Sequence, residues 1–136
     1  MEKQIKGLEK FQTAFNSTYN EKPTLLTKEE SELRYKLLKE ENEEYLEACL
    51  NNDLVEVADA ITDQLFLVVG NAVSHGMGDI LTDMFEEVLA SNMSKLGEDG
   101  NPVINGENGI FDARKPFGKI LKGKNYFEPN LEQFLK

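Results

Sequence analysis

Apolar side chains recur at spacings of three and four residues through most of the chain and then stop near Leu96. That period matches the ~3.6-residue turn of an α-helix and restricts residues 1–96 to amphipathic helices. Ile5, Leu8, Phe11 and Phe15 form one apolar stripe, and the helix they define should end near Asn16. Thr27, with Glu30 three residues on, is a capping box, so a second helix should start there and run to about Asn51. Asn51-Asn52-Asp53 is the break. A third helix, from about Asp53 to Ser74, is apolar on nearly every side, as expected of a helix surrounded by others, and His75-Gly76 with Gly78 ends it. Asp79 can cap a fourth, which carries Ile80, Leu81, Met84, Phe85, Val88 and Leu89 and should reach Leu96.

Beyond Leu96 the period gives way to closely spaced Gly and Pro, the signature of irregular chain. Val103, Ile104, Ile110, Phe111, Phe117, Ile120, Leu121, Tyr126 and Phe127 still need burial, so this tail should pack on the helices with a short hairpin at most. The expected class is therefore all-α: a four-helix-bundle-like core with an irregular C-terminal tail packed on it. At 136 residues the chain fits one domain, 1–136, with the helical core at 1–96 and the tail at 97–136.

Charge narrows the partners. The net charge is -10, with nineteen acids and eight bases before Lys95 and six acids and seven bases from Lys95 on. A nucleic-acid binder or a binder of anionic membranes would carry a basic footprint, so neither is expected. No apolar run approaches the ~18 residues that span a bilayer. Cys49 is the only cysteine and no basic-then-apolar leader opens the sequence, which makes a reducing cytoplasm the expected compartment.

The acids are not scattered. On a wheel turning ~100° per residue, Leu33, Leu37, Leu38, Tyr45 and Ala48 define the buried arc of the second helix. Glu41 and Glu44 fall inside that arc together with Arg34, and Glu40 lies at its edge. Lys36, Lys39, Glu43 and Glu47 lie opposite, as an ordinary solvated face. On the third helix Glu56, Asp59 and Asp63 form a single acidic stripe bordered by Phe66 and Leu67. If the two stripes face each other across an antiparallel pair, at least four carboxylates converge in a partly buried space. Repulsion and desolvation penalise such a group unless a divalent cation neutralises it. All-oxygen ligation suits hard Mg²⁺, with Mn²⁺ as a substitute. A charge run of this kind is most often only a solvated face, and the second stripe is what argues otherwise.

The fourth helix supplies the opposite charge. Lys95 and Asn92 fall within its apolar arc, where the lysine either caps helix carbonyls or holds a phosphate. Lys119, Lys122 and Lys124 in the tail can add to a polyanion site, and metal plus cations together suit a polyphosphate. Cys49 and His75 lack the surroundings of a Cys-His pair or a zinc set; the first is expected as a small core residue and the second as a helix-end cap.

The segments Leu37–Ala48, Asp53–Gly76, Ser91–Val103 and Lys119–Leu131 resemble the MazG-type all-α nucleoside triphosphate pyrophosphohydrolases, including phosphoribosyl-ATP pyrophosphohydrolase-like proteins. The EExxE run Glu40–Glu44 and the ExxD run Glu56–Asp59 match the family pattern residue by residue. The resemblance implies that Glu41, Glu44, Glu56 and Asp59 ligate Mg²⁺. It also implies Glu40 as a second-metal ligand or water-orienting base and Asp63 as an auxiliary carboxylate, with Glu41 shared between metal and catalysis. Asn92, Lys95, Lys119, Lys122, Lys124 and Tyr126 would contact substrate, with Asn125 and Phe127 as weaker candidates.

The implied reaction is hydrolysis between the α- and β-phosphates of an NTP or dNTP, giving a nucleoside monophosphate and pyrophosphate. Alternatives are a phosphoribosyl-ATP or dCTP/dUTP-selective enzyme, or a non-catalytic acidic helical interaction module. A homodimer or dimer of dimers is expected, because a helix apolar on nearly all sides must be covered. Three departures bear on selectivity: a short gap between the acidic runs, the insert Asn105–Gly118, and Lys124 where related tails tend to have Pro.

Overall fold

The computed structural model describes residues 1–136 and is helical, with α1 at Glu2–Ala14, α2 at Lys28–Leu50, α3 at Leu54–Ser74, α4 at Leu81–Met93 and a 3₁₀ turn at Leu131–Phe134. The all-α class is as the periodicity predicts. The chain divides into two compact units, Met1–Leu81 and Thr82–Lys136, so that α4 groups with the tail.

In the first unit α3 is the middle helix, with α2 on one flank and α1 on another. The Thr27 hydroxyl accepts from the Glu30 backbone N–H and Glu30 Oε2 accepts from the Thr27 N–H, so the expected capping box starts α2. At the break, Asn52 takes a left-handed φ of 57° and Asp53 Oδ1 accepts from the Val55 and Glu56 N–H groups. This short turn folds α3 back along α2. Past Ser74, Gly76 at φ 71° lies so close to the Lys22 carbonyl that a Cβ would collide with it. His75 caps α3 as expected, and its Nδ1 lies 2.8 Å from the Thr24 carbonyl oxygen; a carbonyl can only accept, so Nδ1 carries the proton.

Burial differs from the wheels in several places. The buried set of α1 is Ile5, Leu8 and Gln12, whereas Phe11 and Phe15 are exposed and stack on each other at 4.4 Å. On α2 only Ala48 is buried; Leu33, Leu37 and Tyr45 are exposed, and so is Cys49, which is not the core residue expected. The reason is that α2 packs closely only on α3; between it and α1 lies an open cavity bordered by Leu33 and Leu37, which leaves these side chains accessible. Likewise α3 is not surrounded: Leu54, Ile61, Leu65 and Val68 are about half exposed or more.

In the second unit the tail runs back along α4. Ser91 Oγ donates to the Phe127 carbonyl, the Phe127 N–H donates to Ser94 Oγ, and the Asn130 N–H donates to Glu87 Oε1. Gly123 is needed here because its N–H reaches the Lys95 carbonyl where a Cβ would strike the Lys95 and Leu96 backbone. α4 ends at Met93 rather than Leu96, with single turns through Ser94, Lys95 and Leu96, and no cap by Asp79 forms at its start. The hairpin reduces to one antiparallel bridge, Ile104 to Ile120. Buried Asn105 holds the insert together by donating to the Asp112, Lys115 and Pro116 carbonyls and accepting from the Asp112 N–H.

Candidate active site

Because α2 and α3 are joined by the tight Asn51–Asp53 turn, residues equally far from it face one another along a single seam. Glu41 sits midway along that seam and is half-buried. The neighbouring Gln64 side chain donates to the Glu41 backbone carbonyl at 3.2 Å, but Glu41 Oε2 is buried with no hydrogen-bond partner. Burial pushes the Glu41 carboxyl above the ordinary carboxylate range, and the nearby charges of Glu44, Asp63, Glu40 and Asp59 push it the same way. One carboxylate oxygen thus lies out of water, among four other acids, with nothing to satisfy it.

Toward the turn the seam opens into a groove of about 360 Å³ lined by Glu44, Glu47, Ala48, Asn51, Asp53, Glu56 and Asp59. Three of the four expected metal ligands line it together, and Glu47, expected on the solvated face, joins them. The anticipated partly buried cluster is corrected in one respect: Glu44, Glu56, Asp59, Asp63 and Glu40 are exposed, and only Glu41 is withdrawn from solvent. As the side chains stand, no three of these carboxylates close on a common point. Like charges on an open groove splay apart, and exposed Glu and Asp rotamers turn inward at little cost. The donor set is all-oxygen, the groove is roomy, and Glu41 Oε2 lacks a partner; these residues fit a hard divalent cation.

At the other end of the seam is a cavity of about 340 Å³, lined by Arg34 and Leu37 of α2, Phe66, Leu67 and Gly70 of α3, and Leu8, Phe11 and Gln12 of α1 among others. Arg34 is half-buried, as its inward position predicts, and its Nη1 donates to Asn71 Oδ1 at 3.1 Å. Gln12 and Asn71 were not singled out by the sequence reading. The signal for Gln12 was its spacing of four from Leu8, which puts a polar residue on the apolar stripe.

The candidate cations lie in the second unit. Asn92 is exposed rather than inward, donating to the Val88 carbonyl, and its Oδ1 accepts from Lys95 Nζ at 2.6 Å. Lys95 is half-buried in the turn after α4, and it does not cap helix carbonyls through Nζ. Lys122 pairs with Glu128 at 3.6 Å and lies 4.2 Å from the Tyr126 ring centroid; Lys124 pairs with Glu98 at 2.9 Å; Lys119 is exposed.

The family model described as phosphoribosyl-ATP pyrophosphohydrolase matches residues 8–92, which takes in the second half of α1, all of α2 and α3, both acidic runs and almost all of α4. No curated protein matches the chain. The match covers more than half of the sequence and contains all of the seam just described. The chain belongs to the phosphoribosyl-ATP pyrophosphohydrolase family, MazG-like all-α nucleotide pyrophosphohydrolases, and is a hydrolase acting on phosphoric anhydride bonds.

Proposed function

We propose that this protein is a Mg²⁺-dependent enzyme, with Mn²⁺ as a substitute, that hydrolyses an NTP or dNTP between its α- and β-phosphates to a nucleoside monophosphate and pyrophosphate. The observation that carries this reading is the partnerless Glu41 Oε2 beside Glu44, Asp59 and Asp63. Glu41, Glu44, Glu56 and Asp59 are the proposed ligands. When bound, Mg²⁺ supplies Lewis-acid polarisation of phosphoryl oxygens and offsets the charge of the carboxylates. Glu40 and Asp63 flank Glu41 and are the proposed groups that orient the attacking water and take its proton. Asn92, Lys95, Lys119, Lys122, Lys124 and Tyr126 are the proposed substrate contacts; Lys122 and Lys124 would exchange Glu128 and Glu98 for the ligand.

The family match favours a second reading, in which phosphoribosyl-ATP is the substrate. No helix is long and apolar enough to cross a membrane, and we place the protein in the cytoplasm, where the exposed, free Cys49 stays reduced. A homodimer or dimer of dimers is part of the same proposal. The deciding experiment incubates the protein with NTPs, dNTPs and phosphoribosyl-ATP with and without Mg²⁺. Monophosphate and pyrophosphate appearing only with metal are expected; orthophosphate as the first product, or equal turnover in EDTA, would overturn it.

A further inference from the structure

Between α1, α2 and α3 the walls of the 340 Å³ cavity are largely apolar and aromatic, with Phe11 and Phe66 meeting edge to face at 5.1 Å. Asn16, Ser17, Thr18 and Glu30 close one side of the cavity, and two further polar groups, Gln12 and Arg34, bear on what it can hold. Gln12 is 3% exposed, and its amide orientation is fixed twice over. Nε2 donates to the Gly70 carbonyl at 2.8 Å, which can only accept. It also donates to Ser74 Oγ at 3.1 Å, whose own proton goes to the Thr18 carbonyl at 2.9 Å. A flipped amide would set oxygen against oxygen, so Oε1 is the group left over, and it is buried with no partner. An unpaired buried acceptor costs on the order of 1–3 kcal/mol. Arg34 is the second group. One of its N–H groups reaches Asn71, and it makes no ion pair: the nearby Glu30 carboxylate is held by Thr18 and by the Thr27 cap.

The cavity also has a direction. From Leu37 at its edge, the next turn of α2 carries Glu41 and the following one Glu44; on α3 the turn before Leu67 carries Asp63 and the one before that Asp59. Cavity, Glu41 and acidic groove therefore follow one another along one seam, and Leu37 to Glu44 spans about 10 Å at ~1.5 Å per residue. That is the reach of a nucleotide lying with its phosphates at the carboxylates.

We propose that this cavity holds the base of the nucleotide substrate, with Gln12 Oε1 accepting from a ring or amino N–H, Arg34 donating to a base oxygen or nitrogen, and Phe11 and Phe66 against the ring. The inference rests on the hydrolase reading for the position of the phosphates. A phosphate in the cavity itself is disfavoured, because Arg34 is its one cation, Glu30 is an anion in the same wall, and the remaining lining is mostly apolar.

The test uses the full chain in EDTA, titrated with the four deoxynucleoside monophosphates and with ribose 5-phosphate, which has the sugar phosphate but no base. The monophosphate of the preferred base should shift the Gln12 side-chain amide and the Phe11 and Phe66 ring signals in NMR spectra, and ribose 5-phosphate should not. Gln12→Leu and Arg34→Met, each checked for native helicity, should narrow the spread of kcat/KM among the four dNTPs by about tenfold or more, because hydrogen bonds that read a base set such ratios. Should Gln12→Leu fail to fold, Arg34→Met and the wild-type titration decide. Equal binding of ribose 5-phosphate, shifts confined to residues outside the cavity, or an unchanged spread in folded variants would overturn the proposal. If no triphosphate is hydrolysed but the cavity still binds a monophosphate, the reaction is misassigned and the base site stands. Hydrolysis with base-independent binding removes the base site alone.

Discussion

Glu41 is where the physical tension of this fold concentrates, since its buried Oε2 has no donor and four acids surround the carboxyl. Glu41→Gln keeps the shape, removes one charge, and lets an amide N–H face neighbouring carboxylates. The metal-free variant should therefore melt at a higher temperature than the metal-free parent, and its response to Mg²⁺ should be smaller. A bound ion stabilises by RT ln(1 + [L]/Kd), about 2.7 kcal/mol at a hundredfold excess over Kd. Paired thermal melts with and without Mg²⁺ check both halves; a lower metal-free Tm in Glu41→Gln would show that the charge is already compensated. Glu56→Ala and Asp59→Ala remove exposed side chains from the groove, so helicity by circular dichroism should persist while turnover falls by roughly a hundredfold or more. Full activity in either variant would remove that residue from the site.

Among the elements, the insert Asn105–Gly118 depends most on one side chain. Asn105 is fully buried and makes four hydrogen bonds across the loop, so Asn105→Ala should cost about 1–3 kcal/mol locally through carbonyls left unsatisfied. Hydrogen exchange would show lost protection in 105–120 with α2 and α3 unchanged; protection retained there would mean the backbone bridges suffice. The insert should also resist acid. Arg114, hydrogen-bonded to Asp112, holds that carboxyl down at about 2. A folded-state value below the unfolded one contributes stability above the ordinary carboxylate range and loses it as pH falls toward the lowered value. Exchange protection in the loop should hold above the ordinary carboxylate range and decline progressively as pH falls from there toward 2, and full protection retained at pH 2 would separate Asp112 from the loop's stability.

Elements with a local cause were legible in the sequence: the Thr27–Glu30 box, the Asn51–Asp53 break and the His75-Gly76 stop depend on neighbours a few residues away. Each acidic stripe was legible for the same reason, because helical spacing alone puts Glu41 and Glu44 on one side of α2 and Asp59 and Asp63 on one side of α3; their meeting depends on the packing of the two helices. What a wheel cannot supply is the number of neighbours. It marked the arc of Leu33, Leu37 and Tyr45 as buried, whereas α2 packs closely only on α3, and Leu33 and Leu37 border an open cavity toward α1. Gln12 was missed because its role arises from Gly70 and Ser74, some sixty residues further on.

For the molecule as a whole, the outward side of α3 leaves apolar surface uncovered. Leu54, Ile61 and Val68 recur every seven residues with Leu65 between them, and all are about half exposed or more. That spacing is the seam of a helix packed against another helix. A stable protein–protein contact buries about 1,600 Å² in total, and such a stripe supplies the apolar centre of one. We therefore expect sedimentation equilibrium to return two or four times the 15.4 kDa chain mass, and the melting temperature to fall on dilution because folding is linked to association. Leu65→Glu places a charge in the middle of the stripe without touching Glu41, Glu44, Glu56 or Asp59, and should shift the mass toward one chain. A monomeric parent with a concentration-independent melt would refute the dimer. An oligomer untouched by Leu65→Glu would instead show that its interface lies on some other face.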